Sequence, residues 1–273
     1  MLQTELPLLL KVDDLRQAMD SGRELLIIDV TNAENFNKGH IPSAQQLEPA
    51  ALQGGVKPAV GKLPSENQLS ALFSSLGLRA NSHVVAYDDE GGGWAGRLIW
   101  TLDAIGHKNY SYLDGGIHAW RASQMPIETD APASLKSDYT VTIDPNPIAE
   151  LEEVLASIGN SSVVIWDARS AQEYSGEKVL AARSGHIPEA INIDWLELID
   201  KNNDMRLVNL RALQNRLNKI GLSATKTIIT HCQTHHRSGL TYLVMKLLDY
   251  PSIKGYHGSW SEWGNREDTP IEL

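Results

Sequence analysis

One cysteine, Cys232, stands among the 273 residues. That scarcity excludes an intrachain disulfide and a Cys-X-X-Cys redox pair, so any oxidised sulfur on Cys232 has to be resolved by an external molecule. Positive charge is also short. Twenty-four Lys and Arg against 34 Asp and Glu leave a net charge of -10, which argues against nucleic acid or an anionic membrane as the main partner. Long hydrophobic runs are missing as well. The longest early apolar stretch, Leu6-Pro7-Leu8-Leu9-Leu10, is too short for the core of a signal peptide and lacks a basic start, so no export or membrane segment is expected and the cytoplasm is the default location. What the chain does have is apolar material, 42% of its residues, enough for roughly two domains with a core each.

Those two domains are two copies of one unit. Leu25-Leu26-Ile27-Ile28-Asp29-Val30 followed by Gly39-His40-Ile41-Pro42 recurs as Val163-Val164-Ile165-Trp166-Asp167-Ala168 followed by Gly185-His186-Ile187-Pro188. Val84-Val85-Ala86-Tyr87-Asp88 matches Ile228-Ile229-Thr230-His231-Cys232, and the segment ending at Trp120 matches the one ending at Trp263. Self-similarity of this kind is the signature of an internal duplication. Between the copies, residues 126–147 carry Pro126, Pro132, Pro145 and Pro147 among small and polar residues. They are expected to form an ordered or semi-rigid linker between a first domain, 1–125, and a second, 148–273. Within each half, short apolar runs alternate with helical patterns such as Val12 to Met19 and Leu151 to Leu155. That alternation implies an α/β fold with parallel strands and crossover helices.

Cys232 follows the short apolar run Thr227 to Thr230 and precedes the helical pattern Leu240 to Leu248. It is therefore expected at a strand-to-helix turn outside the carboxyl end of a parallel strand, where ligand sites of open sheets lie. A thiol there meets partial positive charge and unpaired N–H groups, which favour thiolate. Arg237, with His235 or His236 if protonated, adds to that field. The matching place in the first half holds Asp88, followed by Gly91-Gly92-Gly93-Trp94, so the first copy cannot perform thiol chemistry. A role in shaping the inter-domain cleft is expected of it, with a separate ligand site at the triple glycine as the alternative.

Two reaction classes use a cysteine and an arginine in one short loop. Phosphoryl transfer places five residues between them, and here only four separate Cys232 from Arg237. A loop one residue shorter fits a single sulfur better than the oxygens of a phosphate, and it offers no Asp as acid for a leaving group. Sulfur transfer needs no second cysteine, because Cys232 carries the sulfur as a persulfide held by the loop. A metal site built from His231, His235 and Cys232 is a third reading, but no carboxylate or outlying His is spaced to complete a tetrahedral set.

The paired Gly-His-Ile-Pro segments, the Gly258-Ser259-Trp260-Ser261-Glu262-Trp263 run and the loop Cys232-Gln233-Thr234-His235-His236-Arg237 together resemble the tandem-domain rhodanese family of sulfurtransferases. The loop itself resembles a bacterial branch. The resemblance implies two domains, each a parallel sheet flanked by helices on both faces, an inactive first domain and a persulfide on Cys232. It further implies that Gln233, Thr234, His235, His236 and Arg237 bind substrate and persulfide, that Arg183 is a second family arginine, and that Trp195 walls the pocket. Thr234 replaces the family's substrate-binding Lys, and Glu173 stands where many members carry an anion-binding Arg. Trp260 and Trp263 are expected as core anchors. The implied activity is transfer of sulfane sulfur from thiosulfate to cyanide or a thiol, with no metal or cofactor and a monomeric state. The alternatives are a 3-mercaptopyruvate donor, or a persulfide carrier serving a protein client.

Overall fold

The structure, a computed structural model, describes residues 6–133 and 135–273. Residues 1–5, at the head of the expected first domain, and residue 134, within the expected linker, lie outside the described residues. The first sheet holds β1 (Leu9–Leu10), β2 (Leu25–Asp29), β3 (Gln45–Gln46), β4 (His83–Tyr87) and β5 (Tyr110–Leu113), in the order β1-β5-β4-β2-β3 with every pair parallel. The second holds β6 (Ile148–Ala149), β7 (Val163–Asp167), β8 (Ile191–Asn192), β11 (Thr227–His231) and β12 (Ile253–Tyr256), in the equivalent order β6-β12-β11-β7-β8, again all parallel. Between β8 and β11, β9 (Ile199–Asp200) and β10 (Arg206–Leu207) form a small antiparallel ribbon. The register is also repeated. Asp29 pairs with Tyr87 in the first sheet and Asp167 with His231 in the second, so Asp88 and Cys232 occupy the same topological place.

Crossovers in the first half run through α1 (Val12–Asp20), α2 (Ala33–Asn37), α3 (Glu66–Ser75), α4 (Gly93–Ala104) and α5 (Gly116–Ala122). Those of the second are α6 (Leu151–Ser157), α7 (Ala171–Tyr174), α8 (Leu210–Lys219), α9 (Arg237–Leu247) and α10 (Ser259–Trp263). Local chemistry sets several boundaries. Ser65 and Gln68 form a capping box at the start of α3, Ser170 and Glu173 do so at α7, and the side chain of Asn32 caps α2; each accepts from an otherwise unpaired N–H of the first turn. Helices cover both faces of each sheet because successive strand residues point to opposite sides. In β4, Val84 and Ala86 enter one core with α3 and α4, while Val85 and Tyr87 enter another with α1 and α5.

α4 and α9 are the exception to amphipathic patterning. Nearly every residue of α4 is buried, and so are Ser238 to Met245 of α9, as expected of helices enclosed on all sides. They pack against each other at the domain boundary. A Cβ on Gly96 would collide with the Gly239 carbonyl, and one on Gly239 with the Arg97 backbone, so glycine at both places lets the backbones meet. One core consequently runs through both halves, from Leu26 and Val84 to Val164 and Ile228. The proline-rich connection is packed as well. Ser137 N donates to Ser74 O (3.0 Å), Tyr139 N to Ser74 Oγ (2.9 Å), Val141 N to Ser70 Oγ (2.9 Å) and Ile143 N to Glu66 Oε1 (2.8 Å), which lays it along α3.

The Gly-His-Ile-Pro segments act as matched turns. His40 stacks on Phe36 at 3.8 Å and His186 on Tyr174 at 3.6 Å. Trp120 and Trp263 are likewise twins, each donating its Nε1–H to a carbonyl just beyond its helix, Pro126 at 2.7 Å and Pro270 at 2.8 Å. Trp260 is buried in the second core.

Candidate active site

β11 ends at His231, α9 begins at Arg237, and Cys232 lies in the loop between them, 1% exposed. Its backbone is clamped from α10: Ser259 Oγ accepts from Cys232 N (3.4 Å), and Trp260 N donates to Cys232 O (3.0 Å). Among the described residues, the N–H groups of Gln233, Thr234, His235 and His236 make no hydrogen bond to another protein atom. They form the kind of cradle that recognises a small anion. Burial pushes the thiol's pKa up, but Arg237, the hydroxyl and N–H of Ser238, and His236 together outweigh it and hold the pKa below the ordinary value. The thiolate is the nucleophilic form.

The loop side chains divide. Arg237 hydrogen-bonds toward the sulfur and also forms a bidentate pair with Glu173, Nη1 to Oε2 at 2.7 Å and Nη2 to Oε1 at 2.8 Å. Against the upward push of burial, that pair holds the Glu173 carboxyl down to about 2. His236 faces the mouth: it stacks on Trp94 at 4.1 Å, lies 5.8 Å from the Trp195 ring, and its Nε2 is in close contact with Glu90 Oε1. His235 turns the other way. Its φ of 57° reverses the backbone, a conformation that costs a non-glycine residue energy and needs surrounding support. Its ring meets Trp100 edge-on at 4.4 Å, and its Nδ1 lies 2.7 Å from Ser238 Oγ. Burial keeps it neutral, well below the usual histidine range.

Several expectations are corrected. His235 is a neutral interface residue and not a cation beside the sulfur, because its ring is enclosed by Trp100 of the other domain. Arg183 is not directed at the site. It donates to Thr269 O (2.9 Å), Trp263 O (3.1 Å) and Thr269 Oγ1, tying down the C-terminal segment. The Gln233 side chain also leaves the sulfur, donating to Leu180 O at 3.1 Å. Thr234 contributes backbone, its carbonyl lying against Gly61 of the first domain. His231 is buried, pushed down to about 4 by burial, and its Nδ1 lies 3.2 Å from the Cys232 carbonyl. Among the described residues, no group of three or more His, Cys, Asp and Glu is placed to hold a metal ion.

Four further residues reach the site, Ser238, Glu90, Trp94 and Arg97, and the sequence alone assigns none of them a role there. Ser238 is legible in hindsight as a hydroxyl in the first turn of a helix beginning at Arg237. Glu90 and Trp94 flank the triple glycine of the first half. Arg97 is a lone cation in the apolar helix α4. Fully buried, it donates to Leu52 O (2.7 Å), Gly61 O (2.8 Å) and His235 O (3.5 Å), and burial brings its pKa down to about 9. The first domain therefore supplies one wall of the second domain's site.

The corresponding loop of the first half is filled from within. Asp88 Oδ1 accepts from the N–H of Glu90 (3.2 Å), Gly91 (3.1 Å) and Gly92 (2.8 Å), and Oδ2 from Ala95 N (2.9 Å). Gly91 and Gly92 have φ of 93° and 107°, and a Cβ on Gly92 would come within 2.8 Å of Tyr112 Oη. The glycines wrap the chain around its own carboxylate, so the alternative of a separate ligand site at the triple glycine does not hold.

Comparison with known proteins gives the same division. A sequence profile of the Rhodanese-like domain matches the chain twice, at residues 11–123 and 150–266. The chain belongs to the rhodanese family. It is 48% identical over 268 residues to thiosulfate sulfurtransferase of Azotobacter vinelandii, covering 98% of each chain. It is 46% identical over 271 residues to thiosulfate sulfurtransferase of Pseudomonas aeruginosa, covering 99% of this chain and 98% of that one. Among solved structures, an anaerobic ergothioneine biosynthesis enzyme from Chlorobium limicola superposes with a TM-score of 0.89 at 21% identity, over 97% of this chain and 70% of the other. That likeness shows a shared fold.

Proposed function

We propose that the protein is a thiosulfate sulfurtransferase in which Cys232 carries the sulfur. The Cys232 thiolate attacks the outer sulfur of thiosulfate; the bond between that sulfur and the sulfonate sulfur breaks, and sulfite leaves with the electron pair. The persulfide anion then rests in the 233–236 N–H cradle beside Arg237. Cyanide or a thiol acceptor attacks the outer sulfur and restores the thiolate, a ping-pong cycle that balances without metal or cofactor. The observation that carries this reading is the thiol at the end of β11 whose pKa is held down by Arg237, Ser238 and His236. Asp88 supports it by analogy. A carboxylate oxygen lies two bonds beyond Cβ, as the outer sulfur of a cysteine persulfide does, and the equivalent loop hydrogen-bonds it from four N–H groups.

Within this reading Trp195, Trp94 and His236 form the mouth, Gln233 and Thr234 serve through their backbone, and the protein works as a cytoplasmic monomer. Support for the location is compositional, together with the finding that no helix among the described residues is long and apolar enough to cross a membrane. The deciding experiment follows thiocyanate formation and the mass of the protein together. Thiosulfate should add one sulfur to the parent chain, cyanide should remove it, and Cys232→Ser should do neither; turnover by that variant at the parent rate would sink the proposal. The Glu173–Arg237 pair favours a second reading, since it offsets a cation otherwise available to an anionic donor. Negligible thiosulfate turnover with rapid loading of Cys232 by a desulfurase would then identify a persulfide carrier.

A further inference from the structure

The duplication provides an internal reference for a second site. In the second half, Arg169 clasps Asp167: Nε donates to both carboxylate oxygens at 3.0 Å and Nη2 to Oδ2 at 2.6 Å. The same guanidinium donates to Gly185 O at 2.9 Å and lies over the Trp260 ring at 4.3 Å, fully enclosed. The first half keeps the carboxylate, gives its glycine carbonyl to Arg121, and has no arginine at the place of Arg169. Sheet register puts Asp29 at the place of Asp167, the repeated Gly-His-Ile-Pro puts Gly39 at the place of Gly185, and Ile117 and Thr31 stand where Trp260 and Arg169 stand. All four first-half positions line a single cavity of about 170 Å³. At ~30 Å³ per water in the liquid, that is the space of about six waters.

Asp29 is 2% exposed, and its Oδ1 has no hydrogen-bond partner among the described residues. Burial pushes its carboxyl up to about 7 against the hydroxyls of Tyr87 and Thr31. A buried carboxylate oxygen left without a partner is costly, and a planar guanidinium satisfies a carboxylate in the bidentate way that Arg169 displays.

We propose that this cavity binds a guanidinium-bearing ligand, an arginine side chain or a small guanidino compound, whose head group lies against Asp29 where Arg169 lies against Asp167. Asp89, another wall of the cavity, adds a second carboxylate, already ordered by Asn35 Nδ2 at 2.6 Å. Ile117 gives the planar cation an apolar face. Of the cations at the rim, Lys38 is paired with Glu34 at 2.7 Å, and Arg121 donates to Gly39 O at 2.8 Å. With that carbonyl already engaged, the ligand relies on the carboxylates.

The test uses the full chain, with methylguanidinium as probe and methylammonium at equal ionic strength as control. Amide shifts of Asp29 to Asn35 in nitrogen-15 spectra should move saturably with methylguanidinium and stay put with methylammonium. The response should vanish in Asp29→Asn and in Thr31→Arg, which supplies its own guanidinium. Thr31→Arg should also raise Tm and leave turnover at Cys232 unchanged, so it keeps the test sound if Asp29→Asn folds poorly. A blocked arginine peptide binding more tightly than free arginine assigns the site to a protein side chain, and the reverse order to a small guanidino compound. The proposal is overturned if the parent chain gives no saturable response, or if Thr31→Arg responds as the parent does.

Discussion

Asp88 and Cys232 follow equivalent strands, begin loops of equal length and lead into equivalent helices, yet one loop is filled by its own side chain and the other is open. In the first, a permanent carboxylate takes four backbone N–H groups. In the second, the N–H groups from Gln233 to His236 are not spent on the protein, and the side chain beside them is a thiol, which has the nucleophilic chemistry that a carboxylate lacks. A duplicated fold thus fills one anion cradle with its own carboxylate and leaves the other open. The filled loop still supports the open one, because Glu90 and Trp94 beside it hold His236.

The largest effect is expected from Cys232→Asp, which makes the second loop a copy of the first. Thiocyanate formation should fall at least about a thousandfold, the scale seen when a covalent nucleophile is lost. Tm should hold or rise as the new carboxylate takes the loop N–H groups. A folded variant that retains turnover would erase the distinction between the halves.

The reverse change, Asp88→Cys, should create no second activity, since neither an Arg nor a His follows it in the glycine loop. It should cost about 3 kcal/mol in urea unfolding, because buried N–H groups lose a charged acceptor. Stability equal to the parent would mean that the filled loop is not structural.

A smaller change sharpens the same comparison at the anion. Glu173→Gln leaves Arg237 without its counter-charge, so KM for thiosulfate should fall several-fold and the midpoint of the pH profile for Cys232 alkylation should move lower. Glu173 titrates near 2 when folded, below its ordinary 4.5. Its contribution is therefore present above about pH 4.5 and is lost as pH falls toward 2. Acid unfolding of the variant should lack that component, on the order of 1 kcal/mol for a pair at the edge of the site.

A further effect, read only as a pH dependence, concerns the strands beside the loops. Asp29 holds its proton to about 7 when folded, against an ordinary 3.8, whereas Asp167 is paired with Arg169. The folded state binds the extra proton, so the contribution of Asp29 is greatest below pH 3.8 and is lost as pH rises toward 7. Asp29→Asn should equal the parent near pH 4 and exceed it in Tm at pH 8. A parent whose Tm advantage instead grows with pH would contradict the unpaired state of Asp29.

Much of this was legible along the chain. The repeated Gly-His-Ile-Pro segments and the matched strand runs disclosed two α/β units, and the unique thiol with an arginine five places on marked the strand-to-helix loop of the candidate site. Other features were not. Arg183 sits beside a repeated motif, and only the three-dimensional path of residues 263–269 reveals that its guanidinium is used there. His235 and His236 are chemically identical neighbours, and a left-handed φ at His235 separates an interface ring from a ring at the mouth. Arg97 and Glu90 belong to the other domain and come near the site only because α4 packs on α9.

The order of residues alone set the duplication, the place of the single cysteine and the length of its loop, because these are properties of spacing and of residue type. Only the tertiary structure decided which cations face the sulfur, which are neutralised or buried, and that the first domain completes the site. Charge and protonation depend on distance and burial, and both are set by segments far apart in the chain.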